Sequence, residues 1–165
     1  VADYHDDPAY IESLVLSIRA AWEQRERPER LLFSFHGIPR RYVEAGDKYE
    51  SQCLETVRLV TEALELTEKE WHLAFQSRVG REEWLKPYTD EVLAQWGREK
   101  LQSVEVICPG FSSDCLETLE EIDQRYRHVF HKAGGGTFHY IPALNDSKSH
   151  ILALRSIVRR HLGWE

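Results

Sequence analysis

The sequence contains no methionine, only three cysteines and no long apolar run. Without a stretch of about 18 apolar residues, we expect no membrane-spanning helix. The start, Val1-Ala2-Asp3, has no signal-peptide pattern. Because it also lacks an initiating methionine, we expect that the chain has been processed or is a piece cut from a longer one.

The cysteines are too few and too scattered for a disulfide framework. Cys53, Cys108 and Cys115 form no CxxC pair, and their number is odd. A reducing cytoplasm is therefore the expected location. Three thiolates also cannot by themselves hold an all-cysteine iron–sulfur cluster.

Positive charge is scarce as well. Lysine and arginine number 21 against 28 aspartates and glutamates, which gives a formal net charge of −7. Nucleic-acid surfaces need clustered Lys and Arg, so we expect no nucleic-acid partner. With 165 residues and 42% apolar side chains, the chain is long enough to bury the core of one domain.

Helical and strand patterns alternate along the whole chain. Helices are predicted over Pro8–Arg25, Asp47–Leu64, Trp84–Arg98, Ser113–His131 and Ser147–Leu162. Strands are predicted over Leu31–His36, Trp71–Gln76, Val104–Cys108 and Thr137–Ile141. This alternation indicates an α/β fold, a Rossmann-like four-stranded parallel sheet with helices on both faces. Such sheets bind ligands beyond the carboxyl ends of their strands.

His36 is the first candidate for chemistry because it stands at a predicted strand end beside Gly37. An imidazole there can act as a base, an acid or a metal ligand near neutral pH. The alternative is a histidine that only forms a hydrogen bond at a turn.

Acidic residues follow the third strand, on the helix predicted from Ser113. At an α-helical period, Glu117 and Glu121 share a face roughly opposite the apolar stripe. Their repulsion would be relieved by a cation. Alternatively, Asp114 and Glu117 form a capping-box-like pair and the other acids are solvated. The apolar stripe comprises Leu116, Leu119, Ile122 and Tyr126.

Several separate motifs occur in the order seen in one family. They are DYHDDP at 3–8, SFHGIP at 34–39, FQSRVG at 75–80, WLKPYTD at 84–90 and CPGFSSDCLETLEE at 108–121. On these motifs the chain resembles the C-terminal half of the ferrochelatases, the lyases that insert ferrous iron into protoporphyrin IX in the last step of heme synthesis.

The resemblance implies roles for individual residues. It implies that His36 is the active-site histidine and Glu117 its partner carboxylate, with Glu121 continuing a line of acidic metal ligands. Where the family pattern then has another carboxylate, this chain has Arg125, which leaves a continuous acidic path for iron in doubt. The substrate-binding residues expected at the site are Ser34, Gln76, Ser77, Arg78, Trp84, Phe111 and Asp114.

The resemblance also implies a chelatase-like fold in which this chain is the second of two similar domains, with the porphyrin cleft between them. Residues 1–146 would form the α/β domain. The closing helix in 147–165 would pack on the absent first domain or mediate a homodimer. Its exposed apolar residues are expected to be Ile151, Leu152, Leu154, Ile157 and Val158.

The expected reaction needs two protons removed from pyrrole nitrogens while a divalent cation enters. His36 would take protons, bind iron with Glu117, or do both. No cofactor beyond the substrate Fe²⁺ and no iron–sulfur cluster is expected. We expect a cytoplasmic protein, soluble or peripherally attached to a membrane. Alternatives are a non-catalytic metal- or tetrapyrrole-binding half-domain, or a chelatase acting on coproporphyrin or placing cobalt into another tetrapyrrole.

Overall fold

A computed structural model describes residues 1–164 of the chain and contains one four-stranded parallel sheet. Its strand order is β2-β1-β3-β4, so β1 lies between the second and third strands of the sequence. The α/β prediction is therefore confirmed. The strands are β1 Arg30–His36, β2 Trp71–Gln76, β3 Ser103–Ile107 and β4 Thr137–Ile141.

Six α-helices and one π-helix connect and flank the described strands. They are α1 Pro8–Gln24, α2 Arg40–Glu44, α3 Tyr49–Ala63, α4 Thr89–Arg98, the π-helix Glu117–Tyr126, α5 Arg127–Ala133 and α6 Lys148–Leu162. The first of them begins as its sequence predicts. Asp7 is the N-cap and accepts the backbone N–H groups of Ala9 and Tyr10, and Pro8 follows at the first helical position.

The sheet separates two apolar cores, because successive side chains of β1 point to opposite faces. Phe33 packs with Leu14, Ile18 and Val57 on the side of α1 and α3. Leu32 belongs to the other core, together with the α4 and α5 side chains. With both faces covered, β1 is an almost continuous apolar run rather than an alternating one.

Two predicted helices begin later than their sequence patterns suggest. The stretch Trp84–Tyr88 is not helical: it bends between two isolated bridges, Trp84 to Pro39 and Tyr88 to Phe75, so that α4 starts only at Thr89. Pro87 explains this, because a proline disfavours helical backbone at the residue before it. The helix predicted from Ser113 begins with Leu116. Its next ten residues, Glu117–Tyr126, wind as a π-helix.

The closing helix α6 packs lengthwise on α1 through one face. His150, Ala153 and Ile157 are buried there. The expectation that Ile157 is exposed is therefore wrong, since α1 already covers it. Leu154 is half-buried. The exposed apolar side chains of the helix are Ile151, Leu152, Val158 and Leu162.

Among residues 1–164, no helix has both the length and the apolar composition to cross a bilayer.

The contact between α4 and α5 depends on Gly97. A Cβ atom at this position would lie 2.6 Å from the Phe130 carbonyl oxygen and 2.6 Å from the Ala133 Cβ. In an open helix, Gly→Ala stabilises by about 0.5–1 kcal/mol. Here we expect Gly97→Ala to lower the free energy of unfolding by about 1–3 kcal/mol, because the helices must separate. Urea denaturation measures this, with Gln95→Ala on the exposed side of α4 as control. A more stable Gly97→Ala variant would contradict the close approach.

Candidate active site

The site lies where the sheet order reverses direction. From β1 the chain moves first to β2 on one side and then to β3 on the other, and parallel sheets bind ligands at such a switch point. His36, the last residue of β1, is half-buried there. Its ring meets the edge of Phe111 with centroids 6.2 Å apart. Its carbonyl oxygen accepts the Tyr49 hydroxyl at 2.9 Å.

Gly37 keeps the backbone beside His36 tightly packed. Its N–H donates to the Gln76 carbonyl at 2.8 Å. A Cβ at this position would lie 3.0 Å from that carbonyl oxygen and 3.3 Å from the Trp84 ring. A larger residue at position 37 would therefore push β1, β2 or Trp84 away from the histidine.

Glu117, the first residue of the π-helix, lies near this histidine, because its carbonyl oxygen accepts the side-chain amide of Gln76, the β2 partner of His36. Its pKa is lowered by a hydrogen bond from the Cys115 thiol, by its own backbone N–H, and by the positive charge that His36 carries when protonated. The lowered pKa keeps the carboxylate ionised near neutral pH. This pair offers one nitrogen ligand and one oxygen ligand.

Glu121 lies deeper, and four donors surround its carboxylate. The Ser77 N–H donates at 3.1 Å, the Tyr126 hydroxyl at 2.7 Å and the Gln76 amide at 3.2 Å; the Ser77 hydroxyl is the fourth donor. Burial and the bond to Glu121 raise the pKa of Tyr126, so its O–H remains a donor. Because a carboxylate offers about four lone-pair positions, Glu121 could bind metal only by giving up some of these bonds.

The backbone of Ser77 contributes to this arrangement. Its φ angle is 65°, in the left-handed region that non-glycine residues seldom adopt. This turn at the end of β2 directs both its N–H and its hydroxyl to Glu121. Strained residues of this kind occur where the surroundings hold them in place, often at functional sites.

The π winding corrects the helical-wheel prediction for this segment. Tyr126 contacts Glu121 and Arg125 contacts Glu120, each five residues apart, as expected for i→i+5 winding. Glu121 is 6% exposed and thus buried, whereas the predicted core residues Leu116 and Leu119 are 78% and 46% exposed. The α-helical period of 3.6 therefore assigned these three side chains to the wrong faces.

Ser34 and Gln76 do not reach the open edge of the sheet. They are 0% and 2% exposed, respectively. The Ser34 hydroxyl contacts the Gln76 amide oxygen and the Thr89 hydroxyl, each at 2.8 Å. Both residues lie beneath the site with their polar atoms paired inside the protein, so their role as substrate-binding residues stays a prediction that these contacts do not support.

Asp114 is also engaged within the fold, where it joins the loop after β3 to the loop after β4. Its carboxylate accepts the Tyr140 hydroxyl at 2.8 Å, the Asn145 amide at 2.8 Å and the Thr118 hydroxyl at 3.0 Å. Partial burial acts to raise the pKa of Asp114, but hydrogen bonds from Asn145, Tyr140, the Ala143 N–H and Thr118 outweigh it and lower the pKa.

The lowered pKa of Asp114 predicts a pH-dependent stability. Its contribution is present above the unfolded pKa of about 3.9 and is lost as the pH falls through the lower folded value. We expect Asp114→Asn to lower the free energy of unfolding by about 2 kcal/mol at pH 7 and by less at pH 3. Urea titrations of both proteins at the two pH values measure this. An equal loss of unfolding free energy at pH 7 and pH 3 would show that the charge of the Asp114 carboxylate contributes nothing to stability.

The family model described as Ferrochelatase matches residues 1–162. The chain belongs to the ferrochelatase family. It is 54% identical over 165 residues to the ferrochelatase of Nitrosococcus oceani and 50% identical to that of Nitrosomonas europaea. Each alignment covers 99% of this chain and 45% of the relative. The ferrochelatase of Acinetobacter baumannii strain ACICU is 48% identical over 98% of this chain and 48% of its own length. The chain thus spans about half the length of these relatives.

A solved structure supports the fold independently. SirB from Bacillus subtilis with Fe³⁺ superposes with a TM-score of 0.63 over 90% of this chain and 53% of its own. At 12% sequence identity, the similarity shows a shared fold alone.

Two of the predicted substrate-binding residues of this ferrochelatase-family chain lie at the same edge of the sheet as His36. Trp84 and Phe111 are half-buried beside His36. The Trp84 indole N–H donates to the Val79 carbonyl at 2.9 Å, which fixes the ring as an apolar wall. Such a wall suits a flat aromatic ligand.

Arg78, another predicted substrate-binding residue, is held in place by two carboxylates and an aromatic ring. It pairs with Asp90 and Glu91 at 3.0 and 3.2 Å and lies over the Tyr88 ring, 4.0 Å from its centroid. It is still exposed enough to meet a ligand carboxylate. Arg125, where the ferrochelatase pattern has an acid, pairs with Glu120 at 2.6 Å and so neutralises a charge on the helix surface.

Sequence reasoning missed three residues that support the site in this member of the ferrochelatase family. The Tyr49 hydroxyl donates to the His36 carbonyl, the Tyr126 hydroxyl donates to Glu121, and Cys115 lowers the pKa of Glu117. Tyr126 was predicted only as core packing. The five-residue spacing from Glu121 to Tyr126 could have indicated their contact, because residues five apart lie on the same face of a π-helix, although not of an α-helix.

Proposed function

We propose that this chain provides the metal-inserting site of a ferrochelatase that places Fe²⁺ into protoporphyrin IX to give protoheme. The observation that carries the proposal is that His36 and Glu117 come together at the ligand-binding edge of the sheet, where Gln76, the β2 partner of His36, holds the Glu117 carbonyl at 2.7 Å. An imidazole can take pyrrole protons near neutral pH, and the carboxylate stabilises the resulting imidazolium.

The same two groups suit a metal that must be released. One nitrogen and one oxygen ligand leave most coordination positions of Fe²⁺ open, unlike a closed four-ligand structural site. Trp84 and Phe111 then provide apolar surface for the macrocycle. In this proposal Fe²⁺ and porphyrin are substrates, and the chain itself brings no resident cofactor or iron–sulfur cluster.

Heme formation from Fe²⁺ and protoporphyrin IX tests the proposal. The assay uses the 165-residue chain and, in parallel, a polypeptide of the relatives' full length that includes it. We expect turnover in the longer protein with protoporphyrin and Fe²⁺. Preference for coproporphyrin, or for Co²⁺ with another tetrapyrrole, would assign a different chelatase. Absence of any metal insertion by the longer protein would contradict the proposal.

A second candidate is a half-domain that binds metal or tetrapyrrole without turnover. It is favoured by the length of the chain, which covers 45% of its ferrochelatase relatives. Porphyrin titration of the 165-residue chain, followed by fluorescence quenching, separates the two. Binding without turnover supports the half-domain, and turnover at the rate of the longer protein excludes it.

We further propose that the exposed side of α6 is a contact surface. Ile151, Leu152 and Val158 are each about half exposed, next to Arg155 and Arg159. Sedimentation velocity of the chain and of Ile151→Lys tests for a homodimer, and co-sedimentation with anionic vesicles tests for peripheral membrane contact. If the chain is a monomer and binds no vesicles, the exposed side of α6 is instead a contact surface for a further domain. Three free thiols fit a cytoplasmic location.

A further inference from the structure

Gln76, at the end of β2, has every hydrogen-bonding position of its side chain engaged inside the protein. Its amide nitrogen donates to the Glu117 carbonyl at 2.7 Å and to the Glu121 carboxylate at 3.2 Å. Its amide oxygen accepts the Ser34 hydroxyl at 2.8 Å and the Cys108 thiol at 3.4 Å. The side chain thus joins β1, the end of β3 and the π-helix.

Only one orientation of this amide is chemically consistent. If nitrogen and oxygen were exchanged, the amide oxygen would face the Glu117 carbonyl and the Glu121 carboxylate, which are both acceptors. The Gln76 donors are therefore directed at the helix. With 2% exposure, water cannot readily take their place.

These contacts connect the two halves of the candidate active site. Gln76 is the strand neighbour of His36 in the β1–β2 register. The residue whose carbonyl it holds is Glu117. A side-chain donor inserted at a helix carbonyl favours departure from regular α winding, and the π-helix begins at this residue. One buried amide therefore spans from the strand beside the histidine to the backbone of the carboxylate.

We propose that Gln76 is a positioning residue that fixes Glu117 opposite His36 by holding the Glu117 carbonyl. This deepens the proposed function and rests on it, because it assumes that His36 and Glu117 bind metal together. Gln76 itself touches neither metal nor porphyrin. Its effect is exerted through the first turn of the π-helix, as outer-shell partners orient the ligands of other metal sites.

Co²⁺ binding to the 165-residue chain tests the proposal, measured by calorimetry and by the d–d absorption bands. Gln76→Met removes both donors at nearly constant volume. Thr89→Val is the matched control, because it removes a buried hydroxyl that also contacts Ser34 but forms no hydrogen bond to the π-helix. We expect Gln76→Met to weaken Co²⁺ binding about 10- to 100-fold relative to Thr89→Val, with altered d–d bands. Equal affinity and bands in the two variants would overturn the proposal.

His36→Ala in the same assay keeps the two proposals distinguishable. If His36→Ala binds Co²⁺ as tightly as the unmodified chain, metal binding at the proposed site fails, whatever Gln76 does. If the unmodified chain binds no Co²⁺, amide hydrogen exchange decides: we expect faster exchange over residues 116–122 in Gln76→Met than in Thr89→Val. Equal exchange overturns the positioning role.

A second variant covers a failure to fold. Gln76→Glu keeps the size of the side chain and an acceptor for Ser34, but it offers at most one donor to the helix. We expect its Co²⁺ affinity to fall below that of Thr89→Val. Affinity equal to the control would overturn the proposal. So would unfolding of both Gln76 variants, because Gln76 would then maintain the whole fold rather than position Glu117.

Discussion

His36→Ala is expected to reduce iron insertion by about 10²- to 10⁴-fold, the usual contribution of a general base. The assay is heme formation by a polypeptide of the relatives' full length that carries this segment. The imidazole at the end of β1 can take pyrrole protons and bind the entering metal beside Glu117. Alanine at position 36 removes both capabilities.

The same variant is expected to fold normally. Within residues 1–164, the His36 ring forms no hydrogen bond to another side chain, and its main contact is the edge of Phe111. Thermal unfolding therefore separates lost chemistry from lost structure. His128→Ala is the control, because this exposed histidine lies on α5 away from the site. Near-normal activity of His36→Ala would contradict its role.

Glu121→Ala is expected to lower the free energy of unfolding by about 3–5 kcal/mol. The substitution leaves buried donors of Ser77, Gln76 and Tyr126 without their shared acceptor, and each such loss costs about 1–3 kcal/mol. Partial collapse of the site keeps the total below the simple sum. Urea denaturation at pH 7 measures the effect.

Glu120→Ala is the matched control, since the two glutamates are neighbours on one helix. Glu120 is exposed and pairs with Arg125 at the surface, where ion pairs contribute little. We expect no measurable change in its unfolding midpoint. If Glu121→Ala were equally harmless but weakened Co²⁺ binding, Glu121 would be a metal ligand, as the family resemblance implies, rather than an anchor of the π-helix.

The fold was predictable because its periodicities are strong. All four strands were located to within one residue at every end, since buried apolar runs bounded by glycine, proline or charged residues leave few alternatives. The start of α4 was missed because the WLKPYTD segment resembles a helix until Pro87 is taken into account. The short α2 has no buried residue and therefore no apolar pattern to reveal it.

The candidate site was predictable only at its two ends. His36 was identified by its place after a buried strand, and Glu117 by the family motif together with its place after the third strand. The role of the residues between them was not predictable. Ser34 and Gln76 were predicted to bind substrate at the ends of two strands, but their buried side chains connect β1 to the π-helix.

The sequence by itself determined the alternation of strands and helices, the parallel sheet and the edge that holds the candidate site, because these follow from local apolar patterns and chain connectivity. Tertiary structure decided which polar groups remain free. Glu117 and Glu121 are the same residue type on one helix, but only Glu121 meets the donors of Ser77, Gln76 and Tyr126. That difference arises because the helix winds with i→i+5 rather than i→i+4 hydrogen bonding, which turns the Glu121 carboxylate toward donors at the end of a distant strand.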